Sequence, residues 1–166
     1  MSASENGSHS GGCQCGAVRF RVRGALGRAS VCHCRMCQKA VGGFFAPLVN
    51  LRRDQLTWTR GERAIYHSSN HVSRGFCAAC GTPLSYEEPG EMMALSIGAF
   101  DRPQDIAPTV QYGIEAKLGF VDDLAGLPAR TTLDDLAEAP FLSDIHSNQH
   151  PDHDTQSWPP ADRPTD

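Results

Sequence analysis

The sequence predicts a mainly β protein built of antiparallel sheets with only short helical turns. Short segments of alternating, β-branched or aromatic residues recur along the chain, and turn residues separate them every 8–12 residues or so, which is typical of antiparallel sheets. Helical periodicity is confined to two short segments. The 166 residues suit one domain that buries its own core.

Eight segments have the pattern of a strand. The clearest is 17–23, where three apolar residues alternate with three arginines, so we expect one buried and one wet face. In 44–51, Pro47 removes a backbone donor and favours a strand at a sheet edge or with a bulge. The other candidates are 56–59, 64–67, 72–76, 84–86, 92–97 and 109–114.

Two segments could be helical. Residues 35–41 can form one or two turns before a pair of glycines. Thr132 offers a hydroxyl at a possible N-cap, with the Asp135 carboxylate three residues on.

Composition divides the chain into a flexible N-terminus (1–12), a folded domain (13–142) and a flexible acidic tail with Pro and His (143–166). Three tail histidines, His146, His150 and His153, have spacings that could ligate a metal on a helix, but Pro151 interrupts such a helix and favours solvated side chains. The chain has no signal-like segment and no run of about 20 apolar residues, so we expect a cytoplasmic protein without a membrane partner.

Charge is distributed unevenly along the chain, although the net charge is only -4. Residues 13–81 contain eleven basic and two acidic residues, and residues 82–142 contain three basic and eleven acidic ones. All seven cysteines lie in the basic segment, whose charge could offset metal thiolates, attract an anionic substrate or simply solvate one face.

The cysteines form three groups that predict two metal sites. The motifs are CQCG at 13–16, CHCRMC at 32–37 and CAACG at 77–81. Two pairs give four sulfurs, which suits a closed tetrahedral zinc site, and the remaining three suit a zinc site with one open position. Gly16 and Gly81 follow their pairs and let the backbone turn so that its amides approach the sulfurs.

Other uses of the thiols fit less well. A disulfide framework leaves one cysteine over, a thioredoxin-like motif lacks its βαβ unit, and the characteristic ferredoxin spacings are absent. His33 stands between two cysteines of an extended stretch, so its ring is expected to point away from their metal and to have a supporting or structural role.

With these groups in view, the chain resembles the family of glutathione-dependent formaldehyde-activating enzymes, which also contains centromere-protein-V-like members. The motifs that carry the resemblance are GCQCG at 12–16, CHCRMCQK at 32–39 and FCAACGTPL at 76–84, and more loosely residues 113–120 and 126–128.

The resemblance implies an Mss4-like β-tent and condensation of glutathione with formaldehyde to S-hydroxymethylglutathione, a carbon–sulfur lyase reaction run in reverse. It implies small-molecule thiol and aldehyde partners and two zinc ions per chain. The implied ligands are Cys13, Cys15, Cys77 and Cys80 for a structural zinc, and Cys32, Cys34 and Cys37 for a catalytic zinc.

Two further expectations concern the site. Arg35 and Lys39 lie within a turn of the CHCRMC ligands and could receive a substrate carboxylate, or could be solvated charges. The alternative function is a non-catalytic zinc-binding module for protein or nucleic-acid interaction, although the basic segment lacks the interleaved aromatic residues of a nucleic-acid binder.

Overall fold

The computed structural model describes residues 7–159, which form two β-sheets and one α-helix. The three-stranded sheet has the order β1-β2-β5, and the seven-stranded sheet has the order β10-β3-β4-β9-β8-β7-β6. The mainly β prediction is confirmed. The strands are β1 Ser8–Gly12, β2 Arg19–Arg23, β3 Ala29–Cys32, β4 Ala46–Arg52, β5 Leu56–Arg60, β6 Ala64–His67, β7 Ser73–Phe76, β8 Pro83–Glu87, β9 Met92–Ser96 and β10 Val110–Tyr112.

The small sheet begins with a strand that the sequence analysis did not predict. β1 pairs with β2 along its whole length, although residues 8–12 were expected to belong to a flexible N-terminus. Gly11 makes this pairing possible, because a side chain there would collide with the ring of Phe20. That ring is fully buried and makes edge contacts with Trp58 and Phe100. Residues 1–6 lie outside the described residues.

The large sheet departs from the predicted pattern in two places. β10 pairs with β3 in parallel, whereas all the other pairs are antiparallel. β4 is a central strand between β3 and β9, so the expectation that Pro47 would place it at an edge or a bulge was wrong. Pro47 is tolerated because it is the second residue of β4 and the pairing with β9 begins only at Leu48.

One α-helix, α1, spans Arg35–Val41, where the sequence analysis expected one or two turns, and it ends at Gly42 in the left-handed conformation. The expected N-cap at Thr132 is one residue late: the N-cap is Thr131, whose backbone N–H donates to the Asp134 carboxylate at 2.6 Å. The 3₁₀ helices are Arg53–Gln55, Ile97–Ala99, Pro103–Asp105, Ile114–Ala116, Gly119–Gly126, Thr132–Asp135 and Pro140–Asp144.

Part of the predicted flexible tail is folded against the small sheet. His150 is buried, and its backbone N–H donates to the carbonyl of Gln14 at 2.6 Å. The Asp154 carboxylate pairs with the buried guanidinium of Arg19, which explains why this stretch is held. The expectation that the tail histidines are solvated is therefore wrong for His150. The proposed domain boundaries stay a prediction.

Two apolar clusters form the core. The larger cluster lies between the sheets and includes Phe20, Leu84 and Leu95, all fully buried. The smaller cluster packs Leu48 and Ala94 of the large sheet against the segment that contains α1. Within residues 7–159, no helix combines the length and the apolar character that a membrane crossing requires.

Candidate metal centres

The first group of cysteines joins the two sheets. Cys13 and Cys15 lie in the turn between β1 and β2, and Cys77 and Cys80 lie in the turn between β7 and β8. Their four sulfur atoms lie within 4.8 Å of one another, so the group could hold a metal ion. Two turns from different sheets therefore meet at one point, which we call the four-cysteine group.

Glycines shape both turns. Gly16 has φ +83° and Gly81 has φ +78°, a region that favours residues without a Cβ. The Gly81 N–H donates to the carbonyl of Cys77 at 2.8 Å, and the Gly16 N–H donates to the carbonyl of Cys13 at 3.1 Å. The predicted turning role of these glycines is confirmed.

Thr82 links the two turns and polarises one sulfur. Its hydroxyl oxygen accepts the Gln14 backbone N–H at 3.0 Å and lies 3.2 Å from the sulfur of Cys80, to which its own proton can be donated. Burial opposes ionisation of Cys80, but the hydrogen bonds from Thr82 and Cys15 together outweigh it and lower its pKa to about 6. Burial raises the pKa of Cys15 to about 12. The group thus combines a ready thiolate with a thiol whose proton a metal must displace.

The second group comes from one continuous segment. Cys32 ends β3, Cys34 is the N-cap of α1, and Cys37 lies in the first turn of that helix. Their three sulfurs also lie within 4.8 Å of one another and could hold a metal ion. We call them the three-cysteine group. The structure thus brings the cysteines together in the two sets that the sequence analysis proposed.

The cysteines of the three-cysteine group also differ in their pKa values. Burial raises the pKa of Cys32 to about 12. Burial opposes ionisation of Cys34 as well, but hydrogen bonds from Cys37 and the charge of Arg74 lower its pKa below the ordinary value. The Cys34 sulfur accepts the backbone N–H of Cys37 at 3.4 Å. Loading a metal would therefore release protons from this group too.

Arg74 is a buried cation beside the three-cysteine group. One terminal guanidinium nitrogen (Nη2) donates to the Cys37 sulfur at 3.4 Å, and Nε donates to the Ser68 hydroxyl at 3.1 Å. The guanidinium carbon also lies 5.0 Å from the ring centroid of Tyr86. These contacts hold a fixed positive charge against the sulfurs.

Gln38 fixes the segment that carries the three cysteines. Its side chain is 3% exposed, and its amide nitrogen donates to the carbonyls of His33 at 2.6 Å and Ala116 at 3.0 Å. Its amide oxygen accepts a hydrogen bond from the guanidinium of Arg35 at 3.1 Å. Arg35, one of the two expected substrate contacts, is therefore hydrogen-bonded to Gln38. Gly113 packs closely on the same segment, since a Cβ there would lie 2.8 Å from the backbone nitrogen of Cys34.

His33 stays outside the set of sulfurs. Its ring is 1% exposed, has Nε2 at 2.9 Å from the amide oxygen of Gln111, and makes an edge contact with Phe45. Its other ring nitrogen, Nδ1, is buried without a hydrogen-bond partner among the described residues. The position agrees with a supporting role rather than a ligand role.

The three-cysteine group opens into a cleft, whereas none of the four-cysteine ligands lines it. A cavity of about 320 Å³ contains Cys32, Cys34 and Cys37 in its wall. A second cavity, of about 510 Å³, adjoins it and has Lys39 in its wall, whereas Arg35 lines neither cavity. A cavity of about 120 Å³ borders Cys13 of the four-cysteine group, so the larger space for a small molecule lies next to the three-cysteine group.

Comparison with protein families identifies the chain. The family model described as glutathione-dependent formaldehyde-activating enzyme matches residues 8–115. The chain belongs to this family. The match includes both cysteine groups, α1 and every strand of the two sheets, so the resemblance inferred from the motifs is confirmed.

A solved structure supports the fold of this family member. A crystal structure of a Rhodobacter sphaeroides protein aligns with a TM-score of 0.51 and 23% sequence identity. The alignment covers 61% of this chain and 98% of that chain. At this identity the likeness shows the fold alone, and it agrees with the β-rich, Mss4-like prediction.

Sequence reasoning missed three residues that organise the two centres. Thr82 follows the CAACG motif directly, so its place next to a ligand was a usable signal. Gln38 likewise follows CHCRMC directly. Arg74 had no such signal, because only the pairing of β7 with β8 and the burial of its side chain distinguish it from the other arginines of the basic segment.

Proposed function

We propose that the protein is a zinc-dependent carbon–sulfur lyase that condenses a thiol such as glutathione with formaldehyde, or acts on a related thiol adduct. The observation that carries the proposal is the difference between the groups, since all three cysteines of the three-cysteine group lie in the wall of a cavity of about 320 Å³, whereas Cys13 alone of the four-cysteine ligands borders one of the cavities described, of about 120 Å³. Membership of the formaldehyde-activating family supports the substrate class.

The donor sets favour zinc at both groups. Sulfur-only donors suit Zn²⁺, with four ligands at a structural site and three ligands plus an open position at a catalytic one. On this proposal, Cys13, Cys15, Cys77 and Cys80 hold the structural ion, and Cys32, Cys34 and Cys37 hold the catalytic ion. An ion with an open position supplies activation of a thiol as thiolate or polarisation of a carbonyl.

The residues of the chain position the reactants. In the condensation, the thiol sulfur forms a bond to the formaldehyde carbon, and the carbonyl oxygen gains the proton that the thiol gives up. Arg74 places a positive charge beside Cys37 and so offsets the negative charge of the sulfurs. We propose Arg35 and Lys39 as contacts of a substrate carboxylate. Lys39 is the favoured residue of the two, because it lies in the cleft wall whereas Arg35 donates to the amide oxygen of Gln38.

The setting of the enzyme is part of the proposal. We propose a cytoplasmic location, since reduced clustered cysteines suit a reducing compartment and no cysteine of residues 7–159 forms a disulfide. The proposed partners are a small thiol and an aldehyde, and neither nucleic acid nor a membrane is expected.

The direct test measures exchange between formaldehyde and its glutathione adduct at equilibrium by magnetisation-transfer NMR. Zinc-loaded protein is expected to accelerate the exchange above the spontaneous rate, and Cys34→Ser is expected to abolish the acceleration. A zinc-loaded protein that leaves the exchange at its spontaneous rate refutes the proposal. Zinc bound only at the four-cysteine group would instead favour the non-catalytic zinc module.

A further inference from the structure

The end of the chain returns to the four-cysteine group and lies against one of its two turns. We call residues 148–158 the strap. Its contacts reach the turn at 13–16 and two strands of the small sheet, β2 and β5. The match to the family model ends at residue 115, so that match does not account for the strap.

Two backbone carbonyls of the 13–16 turn accept hydrogen bonds from the strap itself. The carbonyl of Gln14 accepts the backbone N–H of His150 at 2.6 Å. The carbonyl of Cys15 accepts the indole N–H of Trp158 at 2.7 Å. The strap is therefore bound directly to the backbone that carries two of the four sulfurs.

The strap also fills the space beside the last residue of this turn. A Cβ on Gly16 would collide with the imidazole ring of His150, so the ring packs directly on the glycine. The carbonyl of Gly16 accepts a hydrogen bond from Arg60 at 3.3 Å, and Arg60 in turn donates to the backbone carbonyl of Thr155. A third carbonyl of the turn is therefore linked to the strap through one arginine.

Asp154 attaches the strap to a buried charge. Its carboxylate accepts hydrogen bonds from Nε of Arg19 at 3.2 Å and from Nη2 at 2.8 Å, and it also pairs with Arg21. Arg19 is 3% exposed and is held from its other side by Asp101 at 2.7 Å. A partly buried ion pair of this kind is screened less by salt than a surface pair, so we expect Asp154 to be the strongest attachment of the strap.

The metal depends on the position of this turn. A closed tetrahedral site releases its ion only after ligands dissociate, and the 13–16 turn supplies two of the four ligands. Movement of the turn away from the β7–β8 turn would separate Cys13 and Cys15 from Cys77 and Cys80. Contacts that hold the turn in place therefore oppose the first step of metal release.

We propose that the strap is a positioning element of the four-cysteine group, and that its opening limits the release of metal from that group. Asp154 is the positioning residue that keeps the strap closed, acting through Arg19 rather than on the metal. The inference goes beyond the proposed function, because neither a substrate nor a reaction enters it.

The test measures opening of the strap and metal release in the same full-length, zinc-loaded protein. Hydrogen exchange followed by mass spectrometry reports opening, because the His150 N–H is protected by its bond to Gln14. Asp154→Asn is expected to raise the exchange rate of residues 148–158 by about tenfold, the effect of one charge-assisted hydrogen bond. Zinc release to an excess of chelator is expected to rise by a similar factor. A Cys34→Ser background restricts this measurement to the four-cysteine group.

Asp152→Asn is the matched control. It makes the same substitution and the same charge change within the strap, at an exposed residue that forms no ion pair with any residue of 7–159. Both rates are expected to stay within about twofold of those of the unsubstituted protein. Trp158→Phe removes the indole donor to Cys15 and is expected to speed zinc release about threefold, as for one neutral hydrogen bond.

Four results would overturn the proposal. They are unchanged exchange of the strap in Asp154→Asn, faster exchange without faster zinc release, equal effects of Asp154→Asn and Asp152→Asn, and a four-cysteine group that binds no zinc. Faster exchange in the strands of both sheets would also count against it, because the effect would then be a loss of stability of the whole fold rather than local opening of the strap.

Discussion

Replacing Gln38 by methionine tests whether this side chain organises the three-cysteine group. The substitution keeps a similar volume but removes the amide nitrogen that donates to the His33 and Ala116 carbonyls. Gln38 is 3% exposed, so water cannot readily replace it. Leaving a buried acceptor without its donor costs about 1–3 kcal/mol, so the two carbonyls together give an expected loss of about 2–6 kcal/mol in the free energy of unfolding.

The chain offers a matched control at Gln55. Its amide nitrogen also donates to two backbone carbonyls, those of Arg23 at 3.1 Å and Ala25 at 2.9 Å, but these contacts are exposed. Water can satisfy both carbonyls in Gln55→Met, so we expect a loss below about 1 kcal/mol. Gln38→Met and Gln55→Met each remove two hydrogen bonds to backbone carbonyls. The difference between their losses of unfolding free energy therefore measures the effect of burial.

Urea unfolding of the zinc-loaded proteins measures both losses at one fixed zinc concentration. Because the His33 carbonyl lies between Cys32 and Cys34, Gln38→Met is also expected to weaken zinc binding at the three-cysteine group in a chelator competition. Zinc retention at the four-cysteine group should not change. Equal losses of stability in the two variants would refute the assignment of an organising role to Gln38.

Three other predictions concern the two metal groups, the tail and acid stability. Cys34→Ser is expected to lose one zinc and keep the circular dichroism of the fold, whereas Cys80→Ser is expected to lose the fold; equal loss of structure would contradict the division between the groups. Truncation after residue 147 removes Trp158, whose indole N–H donates to the Cys15 carbonyl at 2.7 Å. The truncated protein is expected to release zinc from the four-cysteine group several-fold faster in a chelator assay, and release at the normal rate would contradict this. Burial opposes ionisation of Glu87, but hydrogen bonds from an arginine and a serine lower its pKa. Its contribution to stability is therefore complete above the ordinary pKa of about 4.3 and is lost as pH falls through the lowered pKa. Glu87→Gln should flatten the fall in unfolding free energy measured between about pH 5 and pH 3, and an unchanged pH dependence would contradict this.

The sequence was informative where structure depends on local contacts. The strand β2 followed from alternation, although Arg19 on its expected wet face is buried. The helix α1 lies at residues 35–41, where one or two turns were expected before a pair of glycines. The cysteine sets were also predictable, because ligand spacing within each motif is local and the count of seven divides into four and three.

The features that were missed depend on residues far apart in the chain. β1 is defined by its pairing with β2 and by the space that Gly11 leaves for Phe20, and neither is visible in residues 8–12 alone. The folded part of the tail depends on the buried charge of Arg19, which is 135 residues away from Asp154. Composition alone describes such a tail as polar, and the partner that holds it becomes visible only in three dimensions.

The different origins of the two groups explain why their metals are expected to have different roles. The four-cysteine group joins Cys15 to Cys77, which are 62 residues apart, whereas the three-cysteine group spans only residues 32–37. Loop-closure entropy grows with the logarithm of loop length, so closing the longer loop constrains the unfolded chain by about 2 kcal/mol more. It also joins the two sheets, while the shorter loop is already ordered by α1 and Gln38. A metal at the first group is therefore expected mainly to stabilise the fold, and a metal at the second group is expected to face a ligand in the cleft without the fold depending on it.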